Sequence, residues 1–293
     1  MERIGFVGIG NMGRPMTANI VKSGFPLTLY DANAEAARAH AAEIGANAAA
    51  SLAELGSACD VVVTMLPTGA IVRQVMLESD GGLASKLKPG ALLIDMSSSD
   101  PIGSRELGPL LTDCGIGFVD APVSGAVPRA VTGTLTIMLG SDDPALSQRA
   151  KPVLLAMGNR IFDTGPLGSG HAMKALNNFV AAAGFAAVAE ALILAGRFGL
   201  DPKVAVEIMN VSTGRNFSTE NVFGQHVLSG DFATGFALGL LAKDVGIAAG
   251  LATALEKPLP IVAETDRWWQ AALQRLGGTV DHSAAFKAWN GEG

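Results

Sequence analysis

Apolar residues change their spacing partway along the chain. In the first half, short β-branched or leucine-rich runs alternate with stretches in which apolar residues recur every three or four positions. "RIGFVGIG" is a short strand-like run ending in glycines, and "NMGRPMTANIVKSG" after it has helical spacing and a glycine stop at Gly24. "LTLYD" is a second strand ending on Asp31, and "NAEAARAHAAEIG" a second helix with Asn33 placed to cap it. "DVVVTMLP", "ALLIDMSS", "GIGFVDAP", "TLTIMLG" and "NRIFDTG" supply later strands, with helical stretches between several of them. Such alternation predicts a mainly parallel sheet with helices on both faces. The last strands are closely spaced, so some antiparallel pairing is expected there.

After Gly165 no convincing strand follows. "HAMKALNNFVAAAGFAAVAEALILAGRFGL", "DPKVAVEIMNVS", "FALGLLAKDVGIAAGLATAL" and "LPIVAETDRWWQAALQRLG" all have helical spacing, and Asp201 with Pro202 is a cap-then-proline start. The pattern predicts an α/β domain over residues 1–164 and an all-helical domain over 165–293, joined by a long helix. Trp268 and Trp269 are expected in the helical core or at a subunit contact. "STGRNFSTEN" carries Ser212, Arg215, Asn216 and Phe217 between predicted helices; it is either a substrate-selecting segment or a plain exposed loop.

Composition narrows the class. A chain of 293 residues with 49% hydrophobic side chains can bury a large core. A formal charge of −6 without a basic run argues against nucleic-acid binding. Phe179 to Gly196 is nearly long enough to span a bilayer. Glu190 interrupts it and no basic or aromatic anchors flank both ends, so a helix of a soluble core is expected and no membrane partner. Cys59 and Cys114 form no C-x-x-C pair, and the opening residues lack a signal-peptide pattern, so a reduced, cytoplasmic protein is expected. His40, His171, His226 and His282 show no metal-ligand spacing, and no metal site is assigned.

Candidate chemistry begins at "GIGNMG". Gly8, Gly10 and Gly13 make a G-x-G-x-x-G at the end of the first strand and the opening of the first helix, and Asp31 ends the second strand 18 residues past Gly13. That context is the dinucleotide-binding fingerprint of a Rossmann-type domain. Gly8 permits the turn, Gly10 lets backbone approach a pyrophosphate, and Gly13 lets helix and strand pack closely. The loop, Asn11 and Met12 included, leads into a helix N-terminus that offers N–H groups to phosphate. Asp31 suits the adenosine ribose hydroxyls, and its carboxylate repels a 2′-phosphate, so NAD is predicted over NADP. A second reading has Asp31 merely capping the next turn. Leu66 and Pro67 in "MLP", and Ser97 and Ser98 in "DMSSSDP", end two more strands on the same crevice, or are ordinary strand terminators.

With these motifs in place the chain resembles the β-hydroxyacid dehydrogenases. Four ordered motifs carry the resemblance over essentially the whole chain: "GFVGIGNMGRPMTANI", "DAPVSGAVPRAVTGTL", "GSGHAMKALNN" and "KDVGIA". The resemblance implies Lys174 as catalytic acid/base, Asn178 beside it as a catalytic and substrate-binding residue that can hold the reacting oxygen or a neighbouring substrate oxygen, Ser124 and Gly125 as substrate-carboxylate contacts, and Lys243 at the nicotinamide end. Residue chemistry agrees: Lys174 and Asn178 are four apart and share a helix face, and a lysine in a partly apolar cleft near a positive nicotinamide loses proton affinity. Taken alone, Lys174 also reads as a helix-start lysine snorkelling to water. Asp244 beside Lys243 either helps to hold local geometry or lies on a solvated face; His171 is taken as a pocket-wall residue. The common family form has a second glycine where this chain has Ala126.

The function expected is an NAD-dependent oxidoreductase interconverting a small β-hydroxyacid and its semialdehyde. The apolar helical half is expected to pair with further copies as a homodimer or homotetramer. The alternatives are an imine reductase-like enzyme, against which Lys174 argues, and a non-catalytic NAD-sensing module, against which Ser124, Lys174 and Asn178 together argue.

Overall fold

The computed structural model of the chain describes residues 1–291; Glu292 and Gly293, the last two of the expected helical domain, lie outside the described residues. The chain forms two compact units, Met1–Lys174 and Ala175–Gly293.

The first unit begins β1 (Ile4–Val7), α1 (Gly13–Lys22), β2 (Leu27–Tyr30), α2 (Ala34–Ile44), β3 (Asn47–Ala48), α3 (Leu52–Ala58), β4 (Val61–Thr64) and α4 (Gly69–Leu77). It continues β5 (Leu92–Asp95), α5 (Pro101–Asp113), β6 (Gly117–Asp120), β7 (Val123–Ser124), α6 (Ala126–Thr132), β8 (Leu135–Gly140), α7 (Pro144–Leu155) and β9 (Gly158–Gly165). Among the described residues these nine strands make one sheet of order β3-β2-β1-β4-β5-β6-β8-β7, with β9 paired to β8. β1, β4 and β5 are buried along their whole length. Helices on both faces explain their unbroken apolar runs. The expected antiparallel pairing occurs where β8 meets β6 and β7, whereas β8 and β9 run parallel. Sequence order reverses on either side of β1, since β2 and β4 both pair with it in parallel. The carboxyl end of β1 is therefore a topological switch point, where open α/β sheets form a crevice.

Caps fix where the helices begin. Asn33 accepts the Ala36 N–H at 3.0 Å and starts α2 as the sequence predicts. Asp100 with Pro101, and Asp143 with Pro144, start α5 and α7 in the same way.

α8 (Ser169–Phe198) is the long joining helix; α9 (Pro202–Asn210), α10 (Leu238–Ala254), α11 (Pro260–Leu276) and α12 (Ala285–Trp289) follow. A π-helical stretch, Thr219–Val227, forms where the sequence predicted a polar connection, opened by Asn216 accepting the Ser218 and Thr219 N–H groups. Phe185 anchors the helical core, stacked on Phe223 with centroids 4.7 Å apart and tilted against Trp269 at 5.5 Å. Trp269 is fully buried and its indole N–H donates to the Ala182 carbonyl at 3.3 Å. α8 buries one stripe, Ala182, Phe185, Ala189 and Leu192, and leaves Val180, Leu194 and Phe198 exposed on other faces. The helix is thus not buried on every side, although its composition is apolar throughout.

Candidate active site

The glycine loop closes tightly on the sheet. Gly8 has φ +97°, and a Cβ there would lie 2.4 Å from the Met65 carbonyl oxygen. A Cβ on Gly13 would lie 2.1 Å from the Gly8 carbonyl oxygen. Gly10 differs: nothing lies within 4 Å of where its Cβ would be, and it is exposed. The loop therefore packs against protein at Gly8 and Gly13 and is open at Gly10, between exposed Asn11 and the turn. No side chain caps the N-terminus of α1, where Met12 holds the cap position. An open backbone face beside an uncapped helix N-terminus fits a dinucleotide pyrophosphate.

Asp31 follows β2 and is half-buried. Its Oδ2 accepts the Ile9 N–H at 2.9 Å and its Oδ1 accepts the Asn33 N–H at 2.8 Å. Asp31 thus fastens the next turn, as the capping reading has it, and the glycine loop, while its carboxylate retains lone pairs for further donors. Leu66 and Pro67 follow β4, and Ser97 and Ser98 follow β5. Ser97 is buried and its Oγ accepts the Leu66 N–H at 2.9 Å, which makes it a brace between the two strand ends.

Ser124 ends β7 and faces Thr136 of β8 in register. Gly125 has φ +132°, and the stem of Arg129 fills the space its Cβ would occupy. Ala126 has φ +52°, a left-handed conformation that favours glycine. The backbone thus keeps the shape a second glycine would give, at a cost of about 1 kcal/mol.

The start of α8 is built from the sheet. Asp120, at the end of β6, is fully buried; its Oδ1 accepts the Gly168 N–H and its Oδ2 the His171 N–H, each at 2.7 Å. Lys174, half-buried, follows His171 by three residues on this helix. These bonds explain why the first turns of α8 belong to the first compact unit, ten residues beyond the expected boundary at 164.

Farther along α8, Asn178 is buried. Its Nδ2 donates to Asp244 Oδ2 at 2.6 Å and its Oδ1 accepts from Asn177 Nδ2 at 3.1 Å. Asp244 is buried to 3% exposure, and its Oδ1 lies 3.5 Å from Lys243 Nζ. Asp244 thus joins Asn178 and Lys243. Sequence reasoning gave Asp244 only a helper's place. Its sole signal was a charged residue in the apolar run "LLAKDVGIA". It also missed the structural parts of Asp95, Asp120 and Arg129, which depend on partners far away or on side-chain direction.

Comparison with known proteins gives these features a context. Residues 3–165 match the family model described as the NAD binding domain of 6-phosphogluconate dehydrogenase. Residues 168–289 match the one described as NAD-binding of NADP-dependent 3-hydroxyisobutyrate dehydrogenase. A 2-(hydroxymethyl)glutarate dehydrogenase of Eubacterium barkeri is 37% identical over 290 residues, covering 98% of this chain and 94% of that protein. The mitochondrial 3-hydroxyisobutyrate dehydrogenase of Bos taurus is 34% identical over 290 residues, covering 97% of this chain and 85% of the relative. The structure of a Mycobacterium tuberculosis 3-hydroxyisobutyrate dehydrogenase with L-serine superposes with a TM-score of 0.90 at 32% identity, covering 99% of each chain. An imine reductase from Myxococcus stipitatus, covering 98% of this chain and 99% of its own, shares the fold alone, at a TM-score of 0.67 and 16% identity. With a nucleotide-binding domain, a helical domain and relatives of one chemistry along its whole length, the chain belongs to the β-hydroxyacid dehydrogenase family.

Proposed function

We propose that the protein is an NAD-dependent dehydrogenase that interconverts a small β-hydroxyacid and its semialdehyde, with Lys174 as general acid/base. The observation that carries this proposal is the placement of Lys174 on the first turns of a helix whose start is bonded to Asp120, in the same unit as the glycine loop. The molecules named with the relatives share one element of chemistry. 2-(Hydroxymethyl)glutarate, 3-hydroxyisobutyrate and L-serine each carry a hydroxymethyl group on the carbon next to a carboxylate. A primary alcohol beside a carboxylate is therefore the substrate class we assign to this chain.

When bound, a nicotinamide cofactor supplies hydride acceptance and donation. Gly8, Gly10, Asn11, Met12 and Gly13 would hold its pyrophosphate, Asp31 its adenosine ribose, and Leu66, Pro67, Ser98 and Lys243 its remaining length. In the oxidation direction Lys174, as the free amine, takes the proton from the substrate hydroxyl oxygen; in reduction its ammonium returns that proton. Asn178 orients the reacting oxygen as a neutral amide that does not compete for the proton. Its bond to Asp244 fixes which way the amide points. The Ser124 hydroxyl and the Gly125 N–H hold the carboxylate. Asp31, fixed by two backbone N–H groups, supports NAD over NADP, because its charge repels a 2′-phosphate.

The exposed apolar positions of α8 and α9, Val180, Leu194, Phe198 and Ile208 among them, support pairing with a second copy of the chain. A mass in solution of two or four chains is expected; a strict monomer contradicts it. The free thiols of Cys59 and Cys114 support a reducing compartment such as the cytoplasm.

Incubation with NAD or NADP and a panel of hydroxyacids tests the chemistry through absorbance of the reduced nicotinamide. Turnover is expected for 2-(hydroxymethyl) acids, faster with NAD. Faster turnover with NADP overturns the cofactor assignment. Saturable NAD binding without turnover across the panel overturns the enzyme assignment in favour of an NAD sensor.

A further inference from the structure

One buried titratable side chain next to Lys174 has no part in the proton transfer. His171 is 1% exposed and lies between two carboxylates that are themselves buried, Asp95 at the end of β5 and Asp120 at the end of β6. Its Nε2 is 3.5 Å from Asp95 Oδ2, and its Nδ1 is 3.7 Å from Asp120 Oδ2. The Ser104 hydroxyl shares a hydrogen bond with His171 Nδ1 at 2.8 Å and also lies 3.0 Å from the Asp100 carbonyl oxygen. His171 Nε2 faces Asp95 and has no hydrogen-bond partner among the described residues. A buried ring nitrogen left without a hydrogen-bond partner carries a desolvation cost.

Asp95 also shapes the strand ends assigned to the cofactor. Its Oδ1 accepts the Thr64 hydroxyl at 2.9 Å and the Ser97 N–H at 3.0 Å, and its Oδ2 accepts the Ser99 hydroxyl at 2.7 Å. Ser97 in turn holds the Leu66 N–H. A hydrogen-bonded path runs from Leu66 through Ser97 to Asp95, whose Oδ2 lies 3.5 Å from His171 Nε2, three residues before Lys174 on the same helix. The imidazole is buried, hydrogen-bonded to Ser104 and enclosed by Asp95 and Asp120, so it bears on both the depth and the rotation of the first turn of α8.

We infer that His171 is a positioning residue: it ties the Lys174 turn to the carboxylate that braces the Leu66–Ser97 strand ends, and so sets where the lysine amine stands for proton transfer. The inference rests on Lys174 being the acid/base. It differs from a purely structural role in what it predicts: the chemical step should suffer in molecules that remain folded and still bind cofactor.

The test uses the full chain with NAD and its best substrate from the panel, at a temperature below the Tm of every variant. His171→Leu keeps the volume and removes both ring nitrogens. His171→Gln restores a donor and an acceptor. Ser104→Ala removes only the partner of Nδ1. A displaced lysine lowers kcat in His171→Leu on the order of tenfold to a hundredfold, with KM for NAD within about twofold of wild type. His171→Gln should recover most of that loss, and Ser104→Ala should lose about threefold in kcat. Wild-type kcat in folded His171→Leu overturns the inference; if that variant does not fold, wild-type kcat in Ser104→Ala overturns it. Lys174→Ala, run alongside, separates the two claims. Retained turnover there defeats the acid/base assignment itself, whereas an inactive Lys174→Ala beside a fully active His171→Leu defeats only the positioning role.

Discussion

The two units each anchor a candidate site residue with a buried aspartate, and they do it by different means. In the first unit Asp120 binds backbone: the Gly168 and His171 N–H groups seat the helix start before Lys174. In the helical unit Asp244 binds side chains: the Asn178 amide and the Lys243 ammonium. Backbone anchoring makes the lysine's station a property of the fold. Side-chain anchoring lets one substitution release Asn178 without disturbing the helix that carries it. The difference teaches that Lys174, the proposed proton-transfer group, is fixed by architecture, while Asn178, proposed to orient the substrate oxygen, is adjustable.

The helical unit also contains a backbone-bound carboxylate, and it gives the comparison its sharpest control. Asp281 accepts the Gly235, Phe236 and Ser283 N–H groups and the Thr234 and Ser283 hydroxyls. Asp281→Ala leaves several of these donors without an acceptor and should destabilise the fold by about 3 kcal/mol, read as a fall in Tm. Burial pushes the Asp281 carboxyl up, but the bonds from Ser283 and Thr234 outweigh it and hold it below the ordinary carboxylate value. Burial pushes neighbouring His282 down, against the opposing pull of Asp281. Both shifts act in the same direction. The unfolded chain protonates His282 first as pH falls through about 6.5, and Asp281 as it falls below about 4, so stability drops on acidification in both windows. An acid-side Tm profile unchanged by Asp281→Ala contradicts this account.

Next in size, Asp244→Ala should lower kcat about thirtyfold by freeing the Asn178 amide. The double variant with Asn178→Ala should be no worse than Asn178→Ala alone, because the two side chains act as one unit. Additive losses would mean that Asp244 acts elsewhere. Gly10→Ala sharpens the first unit. Its Cβ meets no neighbour, so stability should change by less than about 0.5 kcal/mol. NAD affinity should nevertheless fall about tenfold, measured by titration, if backbone at Gly10 contacts the pyrophosphate. The smallest effect is expected from Ala126→Gly, which relieves the left-handed strain and adds chain entropy to the unfolded state. The net change in stability should be within about 0.5 kcal/mol, with turnover unchanged.

Much of the fold was legible because its signals are local. β1, β4 and β5 are continuous apolar runs, and Gly8, Gly10 and Gly13 sit between a strand and a helix within a few residues of one another. Two-residue strands such as β3 and β7 are shorter than any period and give no pattern. The π-helical stretch Thr219–Val227 has mixed polarity and depends on Asn216 turning its own side chain back to cap it. The braces of the site were hidden for another reason. Asp120 bonds to residues 48 and 51 positions away, and Asp244 to one 66 away, so only the folded chain brings them together. His171 read as pocket wall because nothing next to it in sequence revealed the two carboxylates that surround it.

The most direct measurement is turnover of Lys174→Ala on the best hydroxyacid, with NAD binding to the same sample followed by titration. The account predicts NAD affinity within about twofold of wild type and kcat reduced on the order of a thousandfold, the contribution of a positioned acid/base. Turnover within about tenfold of wild type, with affinity intact, would show that the proton moves by another route.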